Sequence, residues 1–453
     1  MSEQAVLNSK YVGYADYKDS GVEWVGQIPS DWEMWKIAHA YDVIGSGTTP
    51  TTSEEGWFGD GTPWVTTGEL RESLIEQTKK MVTAEAMTKF SALRVHPAGS
   101  VVMAMYGATI GRLGILGVSA TTNQACCVLT RSEQLDNNYV FHWLRAFRDD
   151  IINLSSGGGQ PNINQEKVAS LKVSAPAIEE QRTIAAFLDY ETARIDSLID
   201  KQQRLIELLK EKRQAVISLA VTKGLNPDAP MKDSGVEWLG QVPEHWVVAK
   251  LGYRYEVLLG KMLDAKRISG AHLGHYLRNT DVQWGKINTL GLPQMDFRPD
   301  EAARYSVNRG DLLVCEGGEI GRAAVWQHDE PCFYQKALHR LRPYNSKTDL
   351  TGYFFYILFD AATQGRFDGG AGKATIAHLP AETFRQYRFA FPPYEEQIEL
   401  EEHLREITEK YDRIESQGLK QISLLQERRT ALISAAVTGK IDLRGWNQPE
   451  AKQ

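Results

Sequence analysis

Two stretches of the chain carry basic and hydroxyl side chains of the kind that contact nucleic acid. Arg and Lys reach base edges in the major groove or hold phosphates, and hydroxyl groups contact both. For any single side chain of this set, an ordinary solvated surface residue is the simpler interpretation. The candidate contacts are Thr48, Thr49, Lys79, Lys80, Lys89 and Arg94 in the first half and Lys261, Lys266, Arg267, Arg278, Lys286, Arg298 and Arg304 in the second.

Two glycine-rich stretches add a second kind of candidate contact. Glycine allows backbone N–H groups to approach a phosphate closely. The residues that would make such contacts are Gly158, Gly159, Gly370 and Lys373. A pair of flexible turns explains the same composition, and both interpretations stay open.

No set of residues in the sequence predicts catalysis. The stretch 370–374 lacks the glycine spacing and the hydroxyl of a phosphate-binding loop. Asn226 and Pro227 do not complete the Asn-Pro-Pro-aromatic motif of an adenine methyltransferase. The four cysteines form no C-x-x-C pair and have no histidine at metal-ligand spacing, so we predict reduced thiols and no zinc. We assign no catalytic residue, metal or cofactor to this chain.

The composition is typical of a globular protein with several domains. The chain has 453 residues, of which 42% are hydrophobic and 24% charged, and this length predicts two to four domains. Residues 1–16 are polar, and the apolar stretch 101–118 contains an arginine and four glycines. We therefore predict neither a signal peptide nor a membrane span, and a cytoplasmic protein. The net charge of −7 argues mildly against a nucleic-acid partner, although phosphate contacts depend on local patches.

An internal duplication organises the chain. The segment KDSGVEWVGQIP at 18–29 recurs as KDSGVEWLGQVP at 232–243, and a second repeated block closes each half. Between these blocks the halves diverge, with isolated matches such as Gln124 against Gln335. The shared flanks indicate that both halves dock the same kind of partner. The divergent interiors indicate that each half reads something different.

Apolar residues at steps of three and four predict a long helix after each half. One such helix would be roughly 65 Å long. Either helix could pack on its own domain, but two matching apolar seams favour pairing as an antiparallel coiled coil that spaces the two domains. The predicted seam residues are Ile184, Leu188, Ile195, Leu198, Leu205, Leu209, Val216 and Leu219 in the first helix and Leu404, Tyr411, Ile414, Leu425 and Leu432 in the second.

These features resemble the specificity subunits of type I restriction enzymes, the HsdS family, over nearly the whole chain. The second half lacks two of the motifs that carry the resemblance, so its recognition domain resembles a different subtype. The Glu-Glu-Gln motif that opens each helix resembles the family's joint between recognition domain and helix. The motifs are Gly-Thr-Thr-Pro at 47–50, Pro-Trp-Val-Thr-Thr-Gly-Glu-Leu at 63–70, Thr-Asn-Gln at 122–124, Gly-Gln-Pro-Asn-Ile-Asn at 159–164, and Glu-Glu-Gln at 179–181 and 395–397.

The resemblance implies a non-catalytic subunit that reads a split, asymmetric site in double-stranded DNA, one half-site per target-recognition domain. It also implies assembly with two methylation subunits, which use S-adenosylmethionine. Restriction subunits, which translocate and cut DNA with ATP and Mg, are the third implied partner. The alternatives are a coiled-coil scaffold that binds no DNA and, less well supported because its motifs are missing, a single-chain methyltransferase or nuclease.

The predicted fold class is α+β. We expect two mixed α/β target-recognition domains, separated by two long helices that form an antiparallel coiled coil with pseudo-twofold symmetry. The predicted segments are an N-terminal tail at 1–16, the first recognition domain at 17–175, the first helix at 176–223, a linker and the second recognition domain at 224–391, the second helix at 392–440 and a C-terminal tail at 441–453.

Overall fold

The computed structural model describes residues 11–51, 55–154, 162–262, 269–330, 332–367 and 378–449. The chain forms two compact units. Unit 1 consists of Met1–Gln203 and Leu419–Gln453, and unit 2 consists of Arg204–Gly418. Each unit therefore combines one predicted recognition domain with parts of both long helices, whereas the sequence-based division treats each helix as a segment of its own.

Unit 1 contains short strands, short helices and the first part of a long helix. Its strands are β1 (Tyr17–Asp19), β2 (Gln27–Pro29), β3 (Glu33–Lys36), β4 (Ile44–Ser46), β5 (Phe58–Val65), β6 (Ser73–Ile75), β7 (Lys80–Val82), β8 (Val101–Ala104), β9 (Leu113–Leu116), β10 (Thr121–Thr122), β11 (Cys126–Leu129) and β12 (Lys172–Ala175). Its helices are α1 (Ile37–Ala40), α2 (Ala84–Lys89), α3 (Asn137–Ala146), α4 (Arg148–Asn153), α5 (Gln165–Ser170) and the beginning of α6 (Ile178–Lys223).

Two mixed sheets form most of the predicted first recognition domain, which lies in unit 1. One has the order β4-β11-β8-β9-β6, with β6 parallel to β9 and the other neighbours antiparallel. The other has the order β10-β5-β7, with β10 parallel to β5. Strands β8 and β11 are the uninterrupted apolar runs VVMA and CCVL, and all of their residues are buried. Such runs are typical of strands covered on both faces, which explains the central position of this pair.

Unit 2 contains a similar set of strands and helices. Its strands are β13 (Met231–Asp233), β14 (Gln241–Pro243), β15 (Val247–Lys250), β16 (Tyr255–Leu259), β17 (Leu273–Leu277), β18 (Val282–Gln283), β19 (Lys286–Ile287), β20 (Gln294–Asp296), β21 (Ser306–Val307), β22 (Leu312–Cys315), β23 (Ala323–Val325), β24 (Cys332–Tyr334), β25 (Leu338–Pro343) and β26 (Arg388–Phe391). Its helices are α7 (Leu251–Arg254), α8 (Pro299–Tyr305), α9 (Thr351–Thr363), α10 (Ala381–Gln386) and the beginning of α11 (Tyr394–Val437).

The sheets of unit 2 follow the same plan as those of unit 1. The order β16-β25-β22-β23 matches β4-β11-β8-β9, and β17 pairs in parallel with β24 as β5 does with β10. A large aromatic cluster, which includes Tyr255, Phe354, Phe389 and Phe391, fills the core beside α9. Burial of each such side chain stabilises the fold by about 2–3 kcal/mol. The α+β class with two repeated mixed α/β parts is therefore confirmed.

The repeated segment at the start of each half forms the same β-hairpin in both units. Strand β1 pairs with β2, and β13 pairs with β14. In the loops, the Asp19 carboxylate accepts the Gly21 N–H at 2.8 Å, and the Asp233 carboxylate accepts the Gly235 N–H at 2.9 Å. Both glycines have positive φ, which other residues rarely adopt. The hairpin geometry thus explains the identity of the two segments.

The Glu-Glu-Gln motif fastens each long helix to its recognition part through a buried glutamine. The Gln181 Nε2 donates to the backbone oxygens of Gln134 and Pro176, both at 2.9 Å, and its Oε1 accepts the Asp136 N–H at 2.8 Å. These bonds satisfy three backbone groups that would otherwise be buried without a partner, at a cost of about 1–3 kcal/mol each. The motif therefore has a structural role.

The glutamine of the second Glu-Glu-Gln motif, Gln397, makes the three equivalent bonds in unit 2. The Gln397 Nε2 donates to the oxygens of Thr348 (3.0 Å) and Pro392 (2.9 Å), and its Oε1 accepts the Leu350 N–H at 2.9 Å. Gln397 is 1% exposed and Gln181 is 0% exposed. The joint between helix and recognition part is therefore built identically in the two units.

At three steps of α6 the residue of the predicted seam is exposed and its neighbour is buried. Leu198, Leu205 and Leu219 are 50%, 45% and 61% exposed, whereas Ile199 and Ile206 are each 7% exposed. The stripe therefore runs one residue later at these steps. The difference has a simple cause: residues three and four apart lie on nearly the same helix face, and both neighbours are apolar here. Elsewhere in the predicted seam, Ile184, Leu188 and Ile195 are buried, and Leu209 and Val216 are half-buried.

In α11 the predicted seam positions lie along the less exposed face. Leu404 and Leu432 are buried, and Tyr411, Ile414 and Leu425 are half-buried. The exposed leucines of this helix, Leu419 and Leu424, lie outside the seam.

Ion pairs join the two long helices within each unit. In unit 1 Arg429 pairs with Asp196. In unit 2 Lys210 pairs with Glu415 at 3.0 Å and Arg213 pairs with Asp412 at 2.9 Å. From Lys210 to Arg213 the residue number rises along α6, whereas that of the partner on α11 falls from Glu415 to Asp412. The two helices therefore run antiparallel within unit 2.

Residues 12–17 and 439–442, which are distant in sequence, meet within unit 1. The Tyr17 hydroxyl donates to the Gly439 oxygen at 2.9 Å, and the Asp442 N–H donates to the Val12 oxygen at 2.7 Å. At the corresponding place in unit 2, the chain runs without a break from α6 through Gly224 into β13. Unit 1 is therefore closed by residues that lie more than four hundred positions apart.

In the part of the chain that the structure describes, no helix is long and apolar enough to cross a membrane. Among the same residues, no group of three His, Cys, Asp or Glu side chains is arranged to hold a metal ion.

Candidate nucleic-acid interface

Three of the sequence motifs in the first half meet at one place in unit 1. The indole N–H of Trp64 donates to the Thr48 oxygen at 3.1 Å. The Gly47 N–H donates to the Thr122 hydroxyl, also at 3.1 Å. The Thr49 hydroxyl hydrogen-bonds to the side-chain amide oxygen of Gln124. The Gly-Thr-Thr-Pro, Pro-Trp-Val-Thr and Thr-Asn-Gln stretches thus form a single structure.

The fourth motif joins the same place through backbone bonds. The Ile163 N–H donates to the Met105 oxygen at 2.8 Å, and the Met105 N–H donates to the Ala125 oxygen at 2.8 Å. Tyr106 and Asn162 form an isolated β-bridge beside these bonds. Segments from four parts of the sequence therefore converge on one surface. We call this surface the unit 1 junction; its solvent-facing residues are Thr48, Thr49, Thr66, Tyr106, Gln124 and Asn162.

Unit 2 builds a junction with the same backbone bonds. The Gln335 N–H donates to the Leu277 oxygen at 3.0 Å, as the Asn123 N–H does to the Val65 oxygen at 3.0 Å. This equivalence corrects the sequence match of Gln124 with Gln335, because the shared bond aligns Gln335 with the preceding residue. Gln124 therefore corresponds to Lys336.

The remaining bonds of the unit 2 junction follow the same pattern. The Leu379 N–H donates to the Glu316 oxygen at 2.8 Å, and the Glu316 N–H donates to the Ala337 oxygen at 2.9 Å. Gly317 and His378 form the matching β-bridge. The unit 2 junction is defined by the residues equivalent to those of unit 1, which are Lys261, Met262, Arg278, Gly317, Lys336 and His378.

A glycine at the start of each junction marks a close approach of two backbones. A Cβ atom on Gly47 would lie 1.7 Å from the Thr122 oxygen, and one on Gly260 would lie 2.3 Å from the Gln335 oxygen. Contacts this short are impossible for any other residue, so both units need glycine here. The two junctions thus share one backbone frame, although their sequences differ.

The side chains mounted on this frame differ in charge. The unit 1 junction carries hydroxyl, phenol and amide groups, whereas the unit 2 junction carries Lys261, Arg278 and Lys336. Lys261 donates to Glu301 at 2.6 Å, and this bond lowers the pKa of the Glu301 carboxyl. Arg278 forms a two-pronged ion pair with Asp281 at 2.8–2.9 Å. Two of the three cations are therefore held in place by neighbouring carboxylates.

The other predicted contacts of the first half are exposed lysines and an arginine near this surface or farther along unit 1. The Lys79 N–H donates to the Glu69 carboxylate at 2.7 Å, beside the junction. Lys80 lies opposite Trp64 across the β5–β7 pair, with its ammonium group 4.8 Å from the Phe58 ring centroid. Lys89 and Arg94 are exposed at and after the end of α2.

The other predicted contacts of the second half are distributed over three places. Lys286 is exposed on the hairpin of β18 and β19. Arg298 is exposed and pairs with Asp300 at 3.2 Å, and Arg304 lies over the Tyr305 ring. The predicted contacts Gly158, Gly159, Lys266, Arg267, Gly370 and Lys373 lie outside the described residues.

Sequence reasoning did not select eight of the twelve junction residues, which are Thr66, Tyr106, Gln124, Asn162, Met262, Gly317, Lys336 and His378. Gln124 and Asn162 stand in motifs that carried the family resemblance, which was the available signal. Lys336 and His378 have no such signal, because their equivalence to the first half appears only in the backbone bonds.

A buried histidine supports the unit 2 junction. His339 is 0% exposed, and its Nε2 donates to the Leu379 oxygen at 2.7 Å. Among the described residues its Nδ1 has no hydrogen-bond partner. Burial lowers the pKa of His339 from 6.5 to about 4, because a second N–H would be buried without an acceptor.

We expect the free energy of unfolding to fall as the pH is lowered from 6.5 to 4. In this window the unfolded chain binds a proton at His339 that the folded chain excludes, so acid favours unfolding by up to about 3 kcal/mol. Urea unfolding of the full chain across this pH range measures the effect. His339→Gln keeps the donor to Leu379 and cannot titrate, so it should remove this part of the pH dependence; an unchanged profile would contradict the assignment.

A sequence model described as the type I restriction modification DNA specificity domain matches residues 29–208 and 275–424. The chain belongs to this family. Its two matched regions fall in the two repeats. As a member of the family, the chain is a non-catalytic specificity subunit of a restriction–modification system, and its function is recognition of a DNA sequence.

Two curated members of the family are similar over almost their whole length. The type I restriction enzyme MjaVIII specificity subunit of Methanocaldococcus jannaschii is 21% identical over 428 residues, which are 93% of this chain and 95% of the relative. The EcoKI specificity subunit of Escherichia coli is 21% identical over 439 residues, 92% of this chain and 90% of the relative.

Two solved structures have a similar fold. A chain from a study of complex assembly and conformational transition of the type I R-M system aligns with a TM-score of 0.72 at 14% identity, covering 91% of this chain and 99% of the other. The HsdS subunit from Thermoanaerobacter tengcongensis aligns with a TM-score of 0.57 at 15% identity, covering 91% and 98%. Both likenesses concern the fold alone.

Proposed function

We propose that this specificity subunit reads a bipartite, asymmetric site in double-stranded DNA, with one half-site read by each unit. The observation that carries the proposal is the pair of junctions, which share one backbone frame and carry different side chains. One frame positions both reading surfaces against DNA in the same way. Different side chains on that frame give the two half-sites different sequences.

The two junctions suit different base contacts. Amide and hydroxyl groups, as in unit 1, pair with adenine and also contact other bases and phosphates. Arg and Lys, as in unit 2, pair with guanine or hold phosphates. The net charge of −7 does not oppose this function, because phosphate and base contacts depend on individual charged groups, and Lys336 presents a cation at the unit 2 junction.

Other predicted side chains would hold the DNA backbone around each junction. The phosphate contacts of DNA-binding proteins fix register without reading sequence. Besides the junction residues Thr48, Thr49, Lys261 and Arg278, the proposed contacts are Lys79, Lys80, Lys89 and Arg94 in unit 1 and Lys286, Arg298 and Arg304 in unit 2, while Gly158, Gly159, Lys266, Arg267, Gly370 and Lys373 stay sequence predictions.

The long helices would form an antiparallel coiled coil that sets the spacing between the half-sites. They have 46 and 44 residues, or about 65–70 Å at 1.5 Å per residue. The antiparallel ion pairs within unit 2 and the pair between Arg429 and Asp196 within unit 1 support this arrangement. Half-sites read from one face of DNA lie about 34–36 Å apart or a multiple of this distance, which a rod of this length spans.

The partners would be two methylation subunits, which use S-adenosylmethionine, and restriction subunits, which use ATP and Mg. Exposed leucines on the helices offer a surface for the methylation subunits. Leu205 and Leu208, three residues apart on α6 within unit 2, are each 45% exposed, and Leu419 and Leu424 are exposed on α11 within unit 1. Exposed apolar side chains on an otherwise polar helix are typical of protein interfaces.

The proposed DNA reading is tested by equilibrium binding of the chain together with its methylation subunit. We expect the complex to bind one class of duplex far more tightly than random duplexes, at low and at moderate salt. The methylation subunit alone is the control. If the complex binds no duplex beyond what this subunit binds alone, the DNA function is rejected and the scaffold alternative takes its place.

A further inference from the structure

We propose that Gln124 and Lys336 are equivalent specificity-determining side chains, with Gln124 reading an adenine in one half-site and Lys336 a guanine in the other. The inference rests on the proposed function and deepens it to single residues. It concerns direct reading of base edges, as distinct from the phosphate contacts that the other cations would make.

The backbone places the two side chains at the same point of the shared frame. The preceding residue in each unit, Asn123 or Gln335, donates its N–H to the strand that enters the junction at 3.0 Å. The following residue, Ala125 or Ala337, accepts a backbone N–H from the other side at 2.8 or 2.9 Å. Each side chain therefore stands on a segment that is fixed on both sides.

Burial separates the frame from the variable position. The frame residues Val65 and Leu277 are both fully buried and apolar. Gln124 and Lys336 are both exposed, and between them the chemistry changes from a neutral amide to a cation. A fixed frame with an exposed, chemically altered position is what two readers of different sequences require.

The hydrogen bond from Thr49 prepares Gln124 for a base contact. The Thr49 hydroxyl donates to Oε1 of the Gln124 amide, which fixes the amide plane and leaves one Oε1 lone pair available. No protein partner for Nε2 of Gln124 is present among the described residues. Adenine offers an N7 acceptor for Nε2 and an N6 donor for Oε1, which is the two-bond match of an amide. Because the amide is held before DNA arrives, less side-chain entropy is lost on binding.

Lys336 presents a positive charge at the same point. Its N–H donates to the Lys261 oxygen at 2.7 Å, which fixes its backbone. Its side chain is exposed, and none of the ion pairs in the described part of the chain involves it. The O6 and N7 atoms of guanine are both acceptors, so guanine is the base that a lysine reads best.

The experiment is selection of bound duplexes from a randomised library by the chain in complex with its methylation subunit. For Gln124→Ala we expect the preference for adenine at one position of one half-site to fall by about 10- to 100-fold, from the 1–3 kcal/mol of a two-bond contact. For Lys336→Ala we expect loss of a guanine preference in the other half-site. Each variant should leave the opposite half-site unchanged.

Two further variants sharpen the test. Gln124→Glu exchanges the N–H donors for an acceptor and should shift the preference from adenine toward cytosine, which a merely structural residue would not do. Gln134→Ala is the matched control. Gln134 is also an exposed glutamine, but it follows β11, whereas Gln124 precedes that strand. It should leave every preference unchanged.

The failures of this inference and of the proposed function are distinguishable. If wild-type protein selects a two-part site and the Gln124 variants keep the same preference at every position, the inference is overturned and the proposed function stands. A uniform loss of affinity across all sequences would also overturn it, because that result defines a phosphate contact. If the wild-type complex selects no two-part site, the proposed function itself fails.

Discussion

Replacing residues 250–391 with the corresponding segment of a related specificity subunit is expected to change one half of the recognised DNA site and leave the other half intact. The exchanged segment contains the whole unit 2 junction. It begins and ends on the antiparallel pair of β15 and β26, in which Lys250 lies opposite Arg388. Since the chain enters and leaves the segment side by side, a graft need not disturb the hairpin or the helices.

The measurement is mapping of methylated sites by sequencing DNA modified by the complex. Assembly with the methylation subunit, measured by gel filtration, should be unchanged, because the hairpins, the helices, Gln181 and Gln397 remain. The Gln397 partners inside the exchanged segment, at Thr348 and Leu350, are backbone groups that a segment of the same fold also supplies. The reciprocal exchange of residues 37–171 is the matched control, since the Ile37 N–H donates to the Leu171 oxygen as the Leu251 N–H does to the Tyr387 oxygen. It should change the opposite half. If either exchange altered both halves, the assignment of one half-site to each unit would be wrong.

Inserting seven residues into both long helices is expected to change the spacing between the half-sites and to abolish modification of the original site. Seven residues add about 10 Å of helix, which corresponds to at most about three base pairs. Insertions at the unit boundaries, after Gln203 and after Gly418, leave the ion pair of unit 1 and those of unit 2 on their own sides. Seven residues also preserve the heptad pattern, so the apolar stripe keeps its direction.

The spacing is read from the same sequencing experiment with a library of half-sites separated by different lengths. An insertion into α6 alone is the control. It shifts one helix against the other and should reduce stability and assembly rather than produce a new spacing. A double insertion that assembles normally and keeps the original spacing would show that the helices do not set the distance.

The repeated parts of the fold were predictable from sequence, and the reasons are local. The hairpin with Gly21 depends on the positive φ of this glycine and on the hydrogen bond from its N–H to the Asp19 carboxylate. Any chain with the same segment can form the same hairpin. The helices follow from apolar periodicity. The seam was harder, because Leu198 and Ile199 are adjacent, both apolar and three or four residues from the same neighbours. Only the packed structure distinguishes which of them is buried.

The reading surface was less predictable, because it is assembled from distant segments. Lys261 and Arg278 were selected for their charge, and the sequence gives no sign that Glu301 and Asp281 pair with them. Gln124 lies in the Thr-Asn-Gln motif, but the motif does not indicate that this side chain is exposed and bonded to Thr49. Its equivalence to Lys336 rests on backbone bonds between strands, which side-chain periodicity does not report. The individual DNA contacts therefore stay predictions.

The closure of unit 1 by two segments that are distant in sequence has a consequence for synthesis on the ribosome. Unit 2, at Arg204–Gly418, is one continuous stretch, so all its residues are synthesised before the second segment of unit 1. Unit 1 has its first strands early but lacks the segment after residue 418, which carries Gly439 and Asp442, until that segment has followed unit 2 off the ribosome. All residues of unit 2 are therefore available for folding before all residues of unit 1 are. A chain that stops before residue 419 would contain every residue of unit 2 but could not close unit 1, so the segment after residue 418 decides whether both units can form.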